Sequence, residues 1–349
     1  MCGLTGYFLF EQVEKNAEVI RQMMALQQHR GPDDAGIIGI NTKSNRFQEL
    51  NVTTRESFTI LPDLLFGFNR LSILDLSPNG HQPMVSNDQT VFLMMNGEVY
   101  NAFDFKKELQ ERGIQFKSNT DTEIVLYLYQ VYGLRGMLDR LNGMFAIVIF
   151  DMKIQKLFLI RDRFGIKPLY VLQEPGRLAF SSEIKSFKAL PGFRFQLDRS
   201  VLSEFLLFRN LINKTLFENI VNIEPGHYLE VNIAGHASLR QYFDIRSEGL
   251  QNRFETDGEL AAEKLKNSLG QAVKRQMISD VKLGCQLSGG VDSSLISAYA
   301  SRILENGSLE AISIIFDNKR YSEKDYIDKV AGKLNLQSHQ FMLTPDDYI

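Results

Sequence analysis

Val91-Phe92-Leu93-Met94-Met95-Asn96-Gly97-Glu98-Val99-Tyr100-Asn101 sets an apolar run directly against a polar, glycine-containing one. The apolar half is too short for a typical helix and has the length of a strand. Asn96-Gly97, taken alone, signals a hairpin turn. Similar runs lie on both sides, at Leu4 to Phe10, Leu64 to Phe68, Phe145 to Phe150, Leu157 to Ile160 and Leu169 to Leu172, separated by turn residues. Two stretches, Glu18 to Gln28 and Thr122 to Tyr132, have helical spacing instead. Many strands with few helices predict an α+β layered domain.

From Arg199 the pattern changes to a short helix and a Pro225-Gly226 turn between strand-like Val221 to Ile223 and Tyr228 to Val231. The polar stretch Ile245 to Gly258 holds the expected boundary. Glu259 to Met277 then has amphipathic helical spacing, followed by alternating elements: strand Val281 to Leu287, helix Ser294 to Glu305, strand Leu309 to Phe316 and helix Glu323 to Leu334. That alternation predicts an α/β parallel sheet. The expected domains are therefore 2–215 and 256–349, with 216–255 connecting them.

With 39 Lys+Arg against 42 Asp+Glu, the net charge of -3 gives no broad field for nucleic acid or an anionic membrane, so small-molecule partners are expected. The longest apolar run, Met144 to Phe150, is far short of a membrane span, and no secretory signal is visible. Two cysteines, Cys2 and Cys285, exclude a disulfide framework and point to a reducing cytoplasm. Cys285, among alternating apolar neighbours, reads as a buried small side chain.

Cys2 is different. A small residue after Met1 permits removal of Met1, which leaves one residue carrying both a thiol and a free α-amine. The thiol is mostly protonated at neutral pH, whereas an α-amine titrates near 8 and can act as the adjacent base. The chain then shows Arg30-Gly31-Pro32-Asp33, Arg70-Leu71-Ser72-Ile73, the Asn96 to Asn101 run, Asp121-Thr122-Glu123, Gly143-Met144-Phe145-Ala146, Arg161 to Tyr170 and Ser181-Ser182-Glu183-Ile184-Lys185. In their order and spacing these motifs resemble the class II, amino-terminal-nucleophile glutamine amidotransferases, in the branch found in glutamine-hydrolysing asparagine synthetases.

The resemblance implies an αββα sandwich for the first domain and assigns its residues. Cys2 is the nucleophile; Arg70 takes the α-carboxylate of glutamine; Glu98 and Asp121 hold its α-ammonium. Asn96 through its side chain and Gly97 through its backbone N–H form the oxyanion hole. His29 is left structural, Arg30 to Asp33 shapes a loop beside the thiol, and Arg161 to Lys167 is an ordered segment near the domain interface.

Downstream, Leu287 leads into Ser288-Gly289-Gly290-Val291-Asp292-Ser293-Ser294, which opens a helix. Small residues there expose backbone N–H groups to an anion, and Asp292 can hold Mg²⁺ on phosphates. The run lacks the Gly-Lys-Ser/Thr ending of a Walker loop and resembles the pyrophosphate loop of ATP pyrophosphatases. ATP is thus the expected co-substrate, with Leu287, Ser288, Gly289, Gly290, Asp292 and Ser293 around its phosphates and Ile314 beside adenine.

Together the resemblances imply a ligase making asparagine from aspartate, ATP and glutamine. With the near-neutral charge and the lack of an apolar span, no nucleic-acid or membrane partner is expected, and a homodimer is left open. A Ser-Gly-Glu-Gly-Ser-Asp-Glu-like acceptor motif has no counterpart, so a truncated chain retaining only glutaminase activity is expected. The alternatives are another carboxylate acceptor, such as a sugar acid, and a noncatalytic interaction remnant.

Overall fold

The computed structural model describes every residue except 14, 55, 252–254, 305–308, 319, 321, 345, 346, 348 and 349. It divides into two units, Met1–Gln251 and Asn252–Ile349.

The strands of the first unit are, in chain order, β1 (Gly3–Leu9), β2 (Asp34–Asn41), β3 (Arg46–Leu50), β4 (Leu64–Arg70), β5 (Met84–Val85), β6 (Val91–Val99), β7 (Gly143–Asp151), β8 (Lys156–Arg161), β9 (Tyr170–Glu174), β10 (Arg177–Ser181), β11 (Ile220–Asn222), β12 (His227–Asn232) and β13 (Ala237–Gln241). One sheet is ordered β11-β9-β10-β1-β4-β2-β3 and the other β13-β12-β8-β7-β6-β5, and the paired neighbours are antiparallel.

The period of two explains why the central strands read as continuous apolar runs. Along β6, Phe92 and Met94 enter the core between the sheets, while Val91, Leu93 and Met95 enter a second core with helix Asp121–Arg140. Leu4 and Phe8 of β1 likewise face the middle core. Tyr7 faces a third one, shared with Ile20, Met23 and Met24 of helix Glu18–Ala25. Helix, sheet, sheet and helix therefore stack in four layers, the expected αββα sandwich, and a sheet covered on both faces needs apolar residues at consecutive positions.

Asn96-Gly97 does not make the hairpin that the dipeptide alone suggests. Both residues lie inside β6, opposite Ala146 and Phe145 of β7. A Cβ on Gly97 would stand 2.0 Å from the Met144 carbonyl oxygen, so the glycine serves close strand approach. The segment 216–255 supplies β11 to one sheet and β12 and β13 to the other, joining the first unit up to Gln251.

Helix Asp121–Arg140 starts where Thr120 accepts a hydrogen bond from the Glu123 N–H at 3.2 Å. Glu123 in turn accepts from the Lys117 N–H at 2.9 Å and the Ser118 N–H at 2.7 Å. These bonds satisfy amides that the helix start and its approach would otherwise leave unpaired. The helix continues past the expected Tyr132 through a non-helical Gly133.

In the second unit β14 (Gly284–Gln286), β15 (Glu310–Phe316) and β16 (Gln337–Leu343) form a parallel sheet in that order, with helices Val291–Ile303 and Lys324–Leu334 between successive strands. Helix Gly258–Gln276 precedes them, its first amides capped by Asp257. β16 was not among the expected strands, and β14 is shorter than Val281 to Leu287 suggests. Leu287, Ala311, Ile315, Ile327 and Ala331 form one small core. Ile312 and Ile314 point to the other face, and the register puts Phe341 opposite Ile314; all three are exposed.

Candidate active site

A cavity of about 200 Å³ lies in the first unit and gathers Cys2, Arg70, Asn96, Gly97, Glu98 and Asp121. These residues are far apart in sequence. They meet because the amino terminus enters β1, which pairs with β4 so that Gly3 opposes Asn69, one residue from Arg70. β6 brings Asn96, Gly97 and Glu98, and the start of helix Asp121–Arg140 brings Asp121.

The Cys2 Sγ accepts from the Leu71 N–H at 3.4 Å. The Arg30 guanidinium donates to the Cys2 carbonyl at 2.9 Å, while the Asp33 N–H donates to the Arg70 carbonyl at 3.0 Å. The Arg30 to Asp33 loop therefore lies beside the thiol and fixes the backbone of both Cys2 and Arg70. His29 lies outside the cavity lining and meets Glu183 at 2.8 Å.

Arg70 is only 5% exposed. Its guanidinium donates to the carbonyls of Leu74 at 2.9 Å, Asp75 at 2.6 Å and Ser77 at 3.3 Å, which immobilises a side chain that carries five N–H donors. Asn96 is more telling. It is 1% exposed, and its Nδ2 has no hydrogen-bond partner among the described residues. Leaving a buried donor unpaired costs about 1–3 kcal/mol, which marks it as a group awaiting an acceptor.

The two carboxylates respond to burial. Asp121 is pushed up to about 7 by burial and further by the Glu98 charge, against the Val99 and Thr122 N–H groups that donate to it. Burial also raises Glu98, with Lys167 opposing. The Cys2 thiol is raised by burial, while the Leu71 hydrogen bond, the terminal amine and Arg70 pull it down. The amine at Met1 is itself lowered, mainly by burial.

In the second unit, Leu287 is buried and its carbonyl accepts from the Ser313 hydroxyl at 2.7 Å, which ties the loop start to β15. Ser288 and Ser293 hydroxyls lie 3.0 Å apart across the turn, and the Gly290 N–H donates to the Ser288 Oγ at 3.3 Å. Gly289 has φ +85, and a Cβ there would meet the Tyr326 Cβ at 2.9 Å. Gly290 precedes helix Val291–Ile303 without any side-chain cap, leaving the helix amides open. Asp292 is exposed in the first turn, and among the described residues no group of three His, Cys, Asp or Glu could hold a metal. This donor set fits a cation carried chiefly by phosphate oxygens. Ile314 is 56% exposed on β15, and Cys285 is half-buried, accepting from the Ser297 hydroxyl at 3.2 Å.

A family model described as a glutamine amidotransferase domain matches residues 54–243. The chain belongs to that family. A second model, described as asparagine synthase, matches residues 264–349. Among curated relatives, asparagine synthetase [glutamine-hydrolyzing] 1 of Bacillus subtilis is 30% identical over all of this chain and 51% of its own length. A putative asparagine synthetase [glutamine-hydrolyzing] 2 of Methanocaldococcus jannaschii is 29% identical over all of this chain and 66% of its own. The chain spans about half the length of the first such relatives. Glutamine phosphoribosylpyrophosphate amidotransferase from B. subtilis, solved with ADP and GMP, is 14% identical with a TM-score of 0.52 over 98% of this chain and 81% of its own, a likeness of fold.

The amidotransferase match contains Arg70, Asn96, Gly97, Glu98 and Asp121, and Cys2 joins them through the cavity. Two lining residues escaped the sequence reading. Gln82 accepts from the Met95 N–H at 2.7 Å and so holds β6 next to Asn96. Lys167 lines the same cavity and is 7% exposed. The resemblance implied that Arg161 to Lys167 is an ordered segment, and Asp162 supplies the order. Fully buried, it accepts from the N–H groups of Phe145, Phe164, Ile166 and Lys167. Among the described residues, no helix is long and apolar enough to cross a membrane.

Proposed function

We propose that the cavity hydrolyses the side-chain amide of glutamine at Cys2 once Met1 has been removed. The unpaired, buried Nδ2 of Asn96 carries this reading, because it stands in one cavity with a thiol, an arginine and two carboxylates. With Met1 in place the Cys2 nitrogen is an amide and has no basic lone pair. Removal turns it into an amine beside Sγ. The amine takes the thiol proton, and the thiolate forms a bond to the amide carbon, placing the negative charge on oxygen. Asn96 Nδ2 and the Gly97 N–H receive that oxyanion. Collapse breaks the C–N bond, and the amine's proton leaves with the nitrogen as ammonia. Water, deprotonated by the same amine, then attacks the thioester and releases glutamate. Arg70 directs its remaining N–H donors to the α-carboxylate, and Glu98 and Asp121 face the α-ammonium.

For the second unit the proposal is that the Ser288 to Ser293 loop binds the phosphates of ATP, with Mg²⁺ held on them by Asp292 and adenine near Ile314. The cation would neutralise phosphate charge. The asparagine synthase match and the names of the relatives support assigning the ammonia to an aspartate carboxylate activated by ATP, giving asparagine. The division of labour into a glutaminase part up to 215, a connector 216–255 and a synthetase part from 256 belongs to the same reading, as do a reducing cytoplasm and a homodimer.

A glutamine analogue carrying a diazoketone in place of the amide tests the first step. It should alkylate Cys2, leave Cys285 unmodified and abolish glutamate release, read by peptide mass spectrometry. Labelling of Cys285 alone, with activity retained, would refute the assignment.

A further inference from the structure

Lys167 is the one cation in the cavity lining, apart from Arg70, for which the function above has no use. It is more than nine-tenths buried, and among the described residues its Nζ makes no hydrogen bond or ion pair. Its backbone is held firmly: its N–H donates to Asp162 at 2.9 Å and its carbonyl accepts from Arg161 at 2.9 Å. A lysine whose stem is buried while its ammonium opens on a cavity without a hydrogen-bonded partner is placed to meet an anion that forms there.

We propose that Lys167 is a positioning residue that stabilises the anion formed at Cys2, favouring the thiolate over the thiol before glutamine is attacked. This rests on the glutaminase reading above. The mutual influence of Lys167 and Cys2 agrees with it. Burial lowers the lysine, while Glu98 and Cys2 favour its charged form against Arg30. Attack on glutamine requires the thiolate, so a cation beside the thiol favours the reactive form.

Other charges face the same thiol and are held fixed in the comparison. The terminal amine and Arg70 favour its ionisation, and Asp121 opposes it. Around the lysine stand Glu98 from β6, Arg30 from the loop after helix Glu18–Ala25, and Asp162 from its own segment; Asp33 acts on the amine. An ammonium within reach of an acid commonly shifts it by about one unit or more, which sets the scale expected here.

The test is the rate of Cys2 alkylation by iodoacetamide against pH, without glutamine, followed on the Cys2 peptide so that Cys285 does not contribute. In K167M the midpoint should move up by about one pH unit, with alkylation at pH 7 slowed roughly tenfold. K167R should stay near the unaltered protein. Glutamate release by K167M should lose a similar factor in kcat at pH 7 and recover at pH 9, with KM within about twofold. If K167M melts early, K167Q replaces it in the same assay. An unchanged alkylation profile in a folded variant overturns the proposal. So does a raised KM with that profile intact, which would place Lys167 with Glu98 and substrate binding. Absence of glutamate release from the unaltered protein would instead count against the glutaminase reading, while the alkylation profile would still decide the case of Lys167.

Discussion

The sheets of the two units differ in what covers them. In the first unit the central strands are apolar on both faces and both are buried, Phe92 and Met94 on one side of β6, Leu93 and Met95 on the other. In the second, β15 buries Ala311 and Ile315 but presents Ile312 and Ile314 to water. Two faces of packing fix where β6 ends, and with it Asn96 and Gly97. The Ser288 to Ser293 loop is anchored to β15 by the Leu287 N–H, which donates to the Ile312 carbonyl at 3.0 Å, and by the Ser313 hydroxyl on the Leu287 carbonyl. The difference teaches that the same alternation of strand residues can build a rigid site or leave a loop on a thinly supported sheet.

The largest expected contrast is in backbone hydrogen exchange. Amides of Leu93 to Met95 and Ile147 to Ile149 should exchange on the order of 10³-fold more slowly than those of Ile312 to Ile314, because openings of a one-sided sheet need less than global unfolding. Equal protection in both strands would break the comparison. A sharper probe is Asn96→Ala. It should lower kcat for glutamate release by about 10²–10³-fold, roughly 3–4 kcal/mol, yet leave thermal stability unchanged or slightly higher, because the buried donor has no partner to lose. A fall in stability without loss of kcat would mean that Nδ2 is structural.

Arg70→Ala should mix the two effects. KM for glutamine rises as the carboxylate partner is lost, and stability falls because three loop carbonyls lose their donor. The Asp121 effect is smaller and depends on pH. Its carboxyl is raised to about 7 in the folded chain, so the fold retains a proton that the unfolded chain releases at lower pH. Stability contributed by this group is therefore present at low pH and lost as pH rises from the ordinary carboxylate range through about 7. Glutamine's ammonium favours the ionised form, so binding to a Cys2→Ala protein should tighten between pH 6 and 8 and release a proton, as calorimetry in buffers of different ionisation enthalpy would report. Asp121→Asn should bind weakly with little pH dependence; a pH-dependent profile in that variant would assign the titration elsewhere.

The smallest change is in the second unit. Gly289→Ala places a Cβ at a positive φ and against Tyr326, so it should cost about 1–3 kcal/mol locally and weaken ATP binding without touching glutamate release. Loss of glutaminase activity would show that the sites do not behave separately.

Legibility in the sequence followed the same division. Continuous runs such as Phe145 to Phe150 announce strands because both faces are buried, whereas β2, punctuated by Gly36 and Gly39, and β16, with Ser338, His339 and Gln340, carry no such run. Cys2, Arg70, Asn96 and Asp121 stood out as a set through the order and spacing of the motifs that carry the resemblance, and the structure gathers them in one cavity. Asn96-Gly97 signals a turn only when taken alone: in β6 pairing with β7 outweighs the turn preference of the dipeptide. Lys167 and Gln82 were invisible because a lysine among surface-like charges and a glutamine beside a proline reveal their burial only when the layers close over them.

The most direct measurement is glutamate release from glutamine by the protein with Met1 shown by mass spectrometry to be removed, beside Cys2→Ala prepared identically. Steady turnover in the first and none in the second is the expected result. Equal release by both, or full activity in a form that keeps Met1, would contradict catalysis by an amino-terminal thiol.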